Sequence, residues 1–553
     1  MTARRTHLLI PIGLHAARIL LFSLFCLGLQ AVRRTPASES ASSVPAASRY
    51  DSTTDCRDCH ARLPIETGLL QDNPAEVWDR QDKHRLAFSE LLRQRGLVQR
   101  ILGFDLHEII VDDRLSQREA DQRKVEAARA CLRCHATWPV DEPEPPVELK
   151  FGVSCQACHG PGFDWSRPHR EKWWRLCTPE AKQRLGMVNL RDPVRRTQLC
   201  VSCHIGDRAQ DRFVTHAMYA AGHPPLPSFE FGAFREQMPA HWRPLAEKAG
   251  FPGRDSDAGI DRRDGFNERF QIRADDMRAS YLLANQGHLP PHATRDVART
   301  RDTVIGALVV LSEFTRMIGE SNAELQSTAG AIPDFALFDC TGCHHELRFE
   351  AGRPVVDVRG IRPGRPALPL WPMALARQAL ELLPPDKSQG DRDGLEFVAR
   401  WRELRTAVAR RPFGSPAEVA TAAEQLSRWT VQRIEESGRR SMSSVDTRRF
   451  LLSLTESDRD PAIVSDFASA RQIAWAIREV AADLNWPLQQ RQELFLTDES
   501  IDLLRLRLPS GQLQQIVEAV PDLLQAQRNY QASWFRDALQ RTRGQLREGK
   551  REE

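Results

Sequence analysis

The sequence predicts a mainly α protein in two unlike parts, a loop-rich region followed by a helical C-terminal domain. Three observations predict it. Five Cys-x-x-Cys-His motifs lie in the first two thirds of the chain, four of them crowded between residues 51 and 235. The last third contains neither cysteine nor histidine. In that last third Phe467, Ala470, Ile473, Ile477, Val480 and Leu484 recur at helical spacing along one face.

The elements follow in order. Residues 1–33 read as a signal peptide or an N-terminal anchor. Arg4 and Arg5 precede an apolar run, Ile19 to Val32, that is shorter than the ~20 residues a spanning helix needs. Arg18 and His15 could snorkel, which leaves an uncleaved anchor open. Phe25 before Cys26 argues against lipidation, where a small residue is needed. Residues 34–50 form a Ser/Ala/Pro tract, a flexible linker. Residues 51–235 hold four motifs on short helical patches joined by turns, and 236–300 is a polar connector. Residues 301–350 carry a helix, periodic from Val304 to Leu325, that leads into the fifth motif. A Pro/Gly-rich linker, 351–369, precedes the helical domain of residues 370–553. There Ser415-Pro416-Ala417-Glu418 has the N-cap, N1 proline and N3 glutamate of a capping box.

The motifs are Cys56-Arg-Asp-Cys59-His60, Cys131-Leu-Arg-Cys134-His135, Cys155-Gln-Ala-Cys158-His159, Cys200-Val-Ser-Cys203-His204 and Cys340-Thr-Gly-Cys343-His344. A shuffled chain of this composition would hold roughly 0.01 of them. Disulfides or thioredoxin-like pairs have no reason to demand a histidine after every second cysteine. Zinc sites would combine the pairs in twos and leave one over. Covalent haem explains every position. The two thiols add across the two vinyl groups of one porphyrin, and the adjacent histidine supplies the proximal imidazole to iron. Five covalently attached haems c are therefore expected, and several such apolar plates can replace an aliphatic core in residues 51–235. Cys177 stands outside the set and reads as a buried thiol.

Nine histidines lie outside the motifs and the leader: His84, His107, His169, His216, His223, His241, His288, His292 and His345. A second histidine on iron suits a low-potential carrier, whereas an open position permits ligand binding. His345 follows a proximal residue directly, so it reaches a different iron or none. His223 sits in Ala221-Gly-His-Pro-Pro, where proline fixes the backbone. His216 lies seven residues earlier, two turns away on a helix. One of this pair is expected to be a ligand.

The order of motifs resembles the cytochrome c-554 family over roughly residues 51–235. The first motif is followed by Trp78-Asp-Arg-Gln-Asp-Lys-His84-Arg-Leu-Ala87, similar to the family's tryptophan and distal-histidine segment. Gly152-Val-Ser-Cys-Gln-Ala-Cys-His-Gly-Pro-Gly162, then His169-Arg170, is similar to its third haem site and downstream ligand. The resemblance implies a c-554-like, loop-rich multihaem core with His84 and His169 as distal ligands. In the family three haems have two histidines and the second in sequence is five-coordinate, which would leave the haem on His135 with an open face. This chain departs in having a fifth motif, a long helical tail and a different segment after the fourth motif. Larger exported relatives share a Cys-x-x-Cys-His-His site and a segment resembling Gly364-Arg-Pro-Ala-Leu-Pro-Leu-Trp371.

The expected function is electron transfer between redox partner proteins in the periplasm or another extracytoplasmic space. The alternative is an oxidoreductase acting on a small nitrogen or sulfur compound at an open haem. Against the alternative, no motif has lysine in place of its proximal histidine. A quinol dehydrogenase would need the leader to remain as an anchor. The formal charge of +3 gives no reason to expect nucleic acid, and ten haem propionates would bring it to about −7 with ferrous irons. The helical tail, lacking ligands, is expected to pack over the fifth haem and complete the fold, with partner docking as the other reading.

Overall fold

The computed structural model describes residues 50–51, 53–61, 73–171, 174, 177, 179–241, 297–327, 331–344, 366–384, 386–410, 412–437, 440, 442–487, 490–491 and 530–548. The leader, most of the polar connector and most of the 351–369 linker lie outside these residues. The mainly α expectation is borne out. The strands among the described residues are one two-residue hairpin, β1 (Ile110–Val111) with β2 (Arg114–Leu115), turned by Asp112 and Asp113 at positive φ.

The N-terminal part is built from short helices. In order they are α1 (Thr53–His60), α2 (Pro74–Gln81), α3 (Ala87–Arg93), α4 (Arg95–Leu102), α5 (Gln122–His135), α6 (Cys155–His159), α7 (Pro179–Gln183), α8 (Pro193–His204), α9 (His216–Ala221) and α10 (Phe231–Gln237). Local chemistry sets their ends. Gly103 closes α4 at φ 81, and Asp192 caps α8 by accepting from Val194 N ahead of the N1 proline Pro193. Thr215 caps α9 by accepting from Met218 N. A small core of Phe88, Leu91, Val98, Leu106, Leu132 and Trp138 joins α3, α4 and α5.

The C-terminal part has long helices and a conventional core. They are α11 (Ala298–Leu325), α12 (Trp371–Leu382), α13 (Lys387–Ala409), α14 (Pro416–Ser437), α15 (Ser444–Thr455), α16 (Pro461–Ser465), α17 (Phe467–Ala481) and α18 (Ala532–Glu548). The first of these, α11, is the central rod, packed along α14 and against α12, α8 and α17. Small residues allow the close approach to α14, where Ser427 Oγ donates to Ser312 O at 2.8 Å. Helix α14 starts at Pro416, as the capping-box sequence predicts, and α15 has a full capping box between Ser443 and Asp446.

Helix α17 is more deeply set than its apolar stripe implies. Besides Ile473, Trp475 and Ile477, it buries Arg471, Gln472, Arg478 and Glu479. The charges are tolerated because each is hydrogen-bonded, stacked on aromatic rings or ion-paired. Arg471 stacks over Phe467 and Trp475 and donates to Ser228 Oγ, while Arg478 meets Glu479 and Glu236.

This C-terminal core reaches into the motif region. It includes Val201 and Ile205 of the fourth motif's surroundings and Phe229 and Phe231 before and in α10. The helical tail therefore backs the fourth motif. It also reaches the fifth, since Phe413 stacks on Phe335 at 5.2 Å. No helix of the described residues is long and apolar enough to cross a membrane.

Candidate haem sites

Four of the five motifs form the last turn of a helix. His60, His135, His159 and His204 are the final residues of α1, α5, α6 and α8. In a helix, positions i, i+3 and i+4 share a face, so both thiols and the imidazole of each motif point the same way. The fifth motif has a 3-10 turn over Cys340–Gly342, with Asp339 accepting from Thr341 N to start it. None of the described cysteines is disulfide-bonded. Among the described residues no group of three or more His, Cys, Asp and Glu side chains converges as a metal site would require.

The histidines are paired across the fold. His60 faces His169 with ring centroids 6.1 Å apart and planes 13° from parallel. His344 faces His216 at 6.3 Å and 24°. His204 faces His84 at 6.2 Å and 84°, and His159 faces His241 at 6.4 Å and 74°. Two imidazoles on opposite sides of one metal ion, with bonds of about 2 Å, have centroids about 6 Å apart. Rotation about the metal–nitrogen axis leaves that separation unchanged, so both near-parallel and near-perpendicular pairs satisfy it. The residues present thus fit a six-coordinate haem iron in each of the four pairs.

Protonation fits as well. A carbonyl or carboxylate can only accept, so an imidazole Nδ1 beside one must carry the hydrogen and leave Nε2 with its lone pair. Nδ1 of His84 lies 2.9 Å from Asp82 Oδ1, that of His135 3.0 Å from Ala87 O, and that of His223 2.8 Å from Pro224 O. Burial pushes His159 down to about 4, aided by His241 and His60, and pushes His204 to about 4, aided by His84. Both stay neutral, as a ligand must. His84 is the exception. Its hydrogen bond to Asp82 raises it above the ordinary histidine value.

Close packing explains the glycine of the Gly152-Val-Ser-Cys segment. Gly152 has φ +57, and a Cβ there would meet the carbonyl oxygens of His84 and Arg85 at 2.7 Å. Val153 N donates to His84 O, and Trp78 Nε1 donates to Val153 O. The backbone that leads into the third motif thereby holds the His84 segment. Gly152→Ala should displace His84 and cost about 1–3 kcal/mol of folding stability. Denaturant titration of the haem-loaded protein checks this, and an unchanged midpoint counts against it.

The motifs are also brought to one another. The Cys56 and Cys155 thiols lie close together, as do those of Cys134 and Cys203. Cys158 is buried near Cys200 and Cys203. The contacts run from the first motif to the third, from the third to the fourth, and from the fourth to the second. Exposure differs along this row. Cys59 and His60 at one end are exposed, and so are Cys340, Cys343 and His344 of the fifth motif.

The expected ligands divide as follows. His84 and His169 each stand opposite a motif histidine, and so does His216. His223 lies beside Tyr219, with ring centroids 6.1 Å apart, so of the His216/His223 pair it is His216 whose ring meets that of a motif histidine. His241 was not singled out by the sequence, because it lies past the end of the four-motif region in the polar connector. Its signal was proline. Pro168 precedes His169, Pro224 follows His223, and Pro239 lies two residues before His241. His107 is exposed and held by Asp105 at 3.0 Å. His288, His292 and His345 lie outside the described residues.

Residues 108–160 match the family model described as Cytochrome c554 and c-prime. The matched stretch contains the second and third motifs whole. No curated protein and no solved structure matches the chain. The match is to this short stretch, and at a coarse level it supports a c-type cytochrome with covalently bound haem c and a role in electron transfer.

Proposed function

We infer that the protein is an exported pentahaem cytochrome that passes electrons between two redox partner proteins. The observation that carries this reading is the set of four histidine pairs, each joining a motif histidine to one from elsewhere in the chain at 6.1–6.4 Å. Each haem c, when bound, supplies an iron that cycles between ferric and ferrous. The chain's own residues do the rest. Cys56, Cys59, Cys131, Cys134, Cys155, Cys158, Cys200, Cys203, Cys340 and Cys343 would hold the porphyrin edges, and His60, His135, His159, His204 and His344 one face of each iron. His169, His241, His84 and His216 would close the opposite faces of the first, third, fourth and fifth. Two strong imidazole donors favour low-spin iron that exchanges electrons without changing ligands.

Export is proposed on the Arg4-Arg5 and Ile19–Val32 pattern, and on a chemistry that needs many reduced cysteine pairs to be committed to haem. Partner recognition belongs at the exposed motifs, where an electron has the shortest way in.

The test is a pyridine haemochrome count with low-temperature EPR of the matured protein. Five haems are expected. The near-parallel pairs, at 13° and 24°, should give rhombic low-spin signals. The near-perpendicular pairs, at 84° and 74°, should give signals with one large g value. Fewer than five haems, or a single class of low-spin signal, would overturn the reading.

A further inference from the structure

The second and fourth motifs are joined by one side chain that belongs to neither. Arg212 donates from Nε to Arg133 O at 3.0 Å and from Nη1 to Ser202 Oγ at 2.8 Å. Arg133 and Ser202 hold the same place in their motifs, directly before the second cysteine, so the guanidinium bridges equivalent points of the two. Each acceptor lies in the last turn of its helix, α5 for Arg133 and α8 for Ser202. Carbonyls of a last turn have no partner within the helix, and a cation there faces the negative end of the helix dipole. A planar, forked donor can serve two acceptors at once, as a lysine's single point of charge cannot. The side chain of Arg133 is turned elsewhere. It lies over the Trp138 ring at 4.8 Å and donates to Trp138 O at 2.9 Å.

The loop that carries Arg212 is pinned in place. It leaves the fourth motif at Ile205 and folds back, with Asp207 N donating to Arg212 O at 2.6 Å and Arg212 N to Asp207 O at 2.9 Å. Gly206 sits at φ +129, and a Cβ there would meet Arg212 O and Met317 Sδ, both at 3.0 Å. The turn is thus pressed against α11. Asp207 gives its carboxylate to Arg316 of that helix at 3.1 Å, and Arg208 reaches Glu324 near its end. The carboxylate across the turn is therefore engaged by α11, and the charge of Arg212 remains between the two motifs.

We propose that Arg212 is a positioning residue for electron transfer between the second and fourth haems, fixing the gap between their attachment sites and raising both reduction potentials. This rests on the pentahaem reading and deepens it. Reduction from ferric to ferrous lowers the charge of a site by one, so a fixed cation nearby favours it. A unit charge about 10 Å away, at an effective dielectric of about 20, changes that equilibrium roughly tenfold. Because the cation lies between the two sites, both potentials move together and the difference between them is little changed.

The test is a spectroelectrochemical titration of the full haem-loaded chain, read by EPR. Arg212→Met, which removes the charge and both hydrogen bonds, should keep five covalent haems, since attachment is through the cysteines. It should lower two of the five reduction equilibria roughly tenfold and move the other three by less. The large-g signal of the His204–His84 pair should be among the two that move most. Arg212→Lys keeps the charge and should hold both potentials near wild type, which a purely structural role would not require. Electron exchange between the two haems after flash photoreduction should slow several-fold in both variants, because neither side chain spans the two acceptors. Arg212→Gln is neutral and keeps a donor. Its potentials should fall like those of the methionine variant, and it serves if that variant fails to fold. Unmoved potentials in the two neutral variants would overturn the proposal. So would a lysine variant that falls as far as methionine, or exchange at the wild-type rate in both. A wild-type count other than five would fall on the pentahaem reading instead.

Discussion

Replacing both Cys155 and Cys158 with alanine is expected to remove one haem and to cut the row between the first motif and the fourth. The third motif joins the first to the fourth. Cys155 lies beside Cys56 of the first motif, while Cys158 is buried near Cys200 and Cys203 of the fourth. Gly160, directly after the motif, has φ +84, and a Cβ would meet Gly186 O at 2.2 Å, so the chain here has little room to adjust. Apart from prolines, the only buried apolar side chains described between Phe151 and Val201 are Trp165 and Trp174. A segment with so little core of its own depends on the porphyrin for apolar burial. The haemochrome count should fall from five to four, and limited proteolysis should cut between residues 160 and 200. The helices α11 to α17 should resist, because their core is aliphatic and aromatic side chains. Cys340→Ala with Cys343→Ala makes the control. Those cysteines are exposed at the end of the row, so the count should again fall by one while the proteolytic pattern of residues 160–200 stays that of wild type. Equal damage from both variants would show that the third haem has no special place in the fold.

Much of this was legible in the sequence for a chemical reason. A two-residue gap and an adjacent histidine are local, so the motifs announce themselves and their helical last turns follow from the i, i+3, i+4 spacing. The mainly α fold was legible because α11 and α17 have strong periodicity. Distal partners are not local. His84 precedes its opposite number by more than a hundred residues and His241 follows His159 by about eighty, and only the folded backbone decides which rings meet. His241 is one of nine candidates in the sequence and nothing local sets it apart, because a polar connector gives no reason to expect structure there. The tail's second contact was hidden for the same reason. Trp475 reaches Phe234 at 6.2 Å, and Phe234 reaches His204 at 5.0 Å, a chain of aromatics that links α17 to the fourth motif across widely separated sequence. Periodicity also understated α17, since a buried helix whose charges are paired looks half-polar on paper.

The paired charges of α17 lead to a second large effect, on stability against pH. Glu230 is fully buried at the start of α10, where its carboxylate accepts from Gly232 N at 3.0 Å and Ala233 N at 2.7 Å, with Thr303 Oγ1 at 3.2 Å. Those donors favour the charged form. Burial and the nearby Glu479 oppose it and prevail, pushing Glu230 up to about 7. Glu479 is itself raised by burial and Glu236, although Arg299 at 2.5 Å and Arg478 at 3.2 Å hold it partly in check. An unfolded glutamate ionises near pH 4.3. Between that pH and 7 the folded chain therefore binds more protons than the unfolded one, and stability must fall as pH rises. The contribution is fully present below the unfolded value and lost by about pH 7, a span of about 3 kcal/mol. Glu230→Gln keeps an oxygen to cap α10 and cannot ionise. Urea titrations of the two haem-loaded proteins at pH 5, 6 and 7 should show their difference growing in favour of glutamine as pH rises. Comparing the pair cancels the histidines, because neutral buried imidazoles act in the opposite direction in both proteins alike. A constant difference across that range would mean that Glu230 is already ionised in the fold and that the capping amides, rather than burial, set its charge.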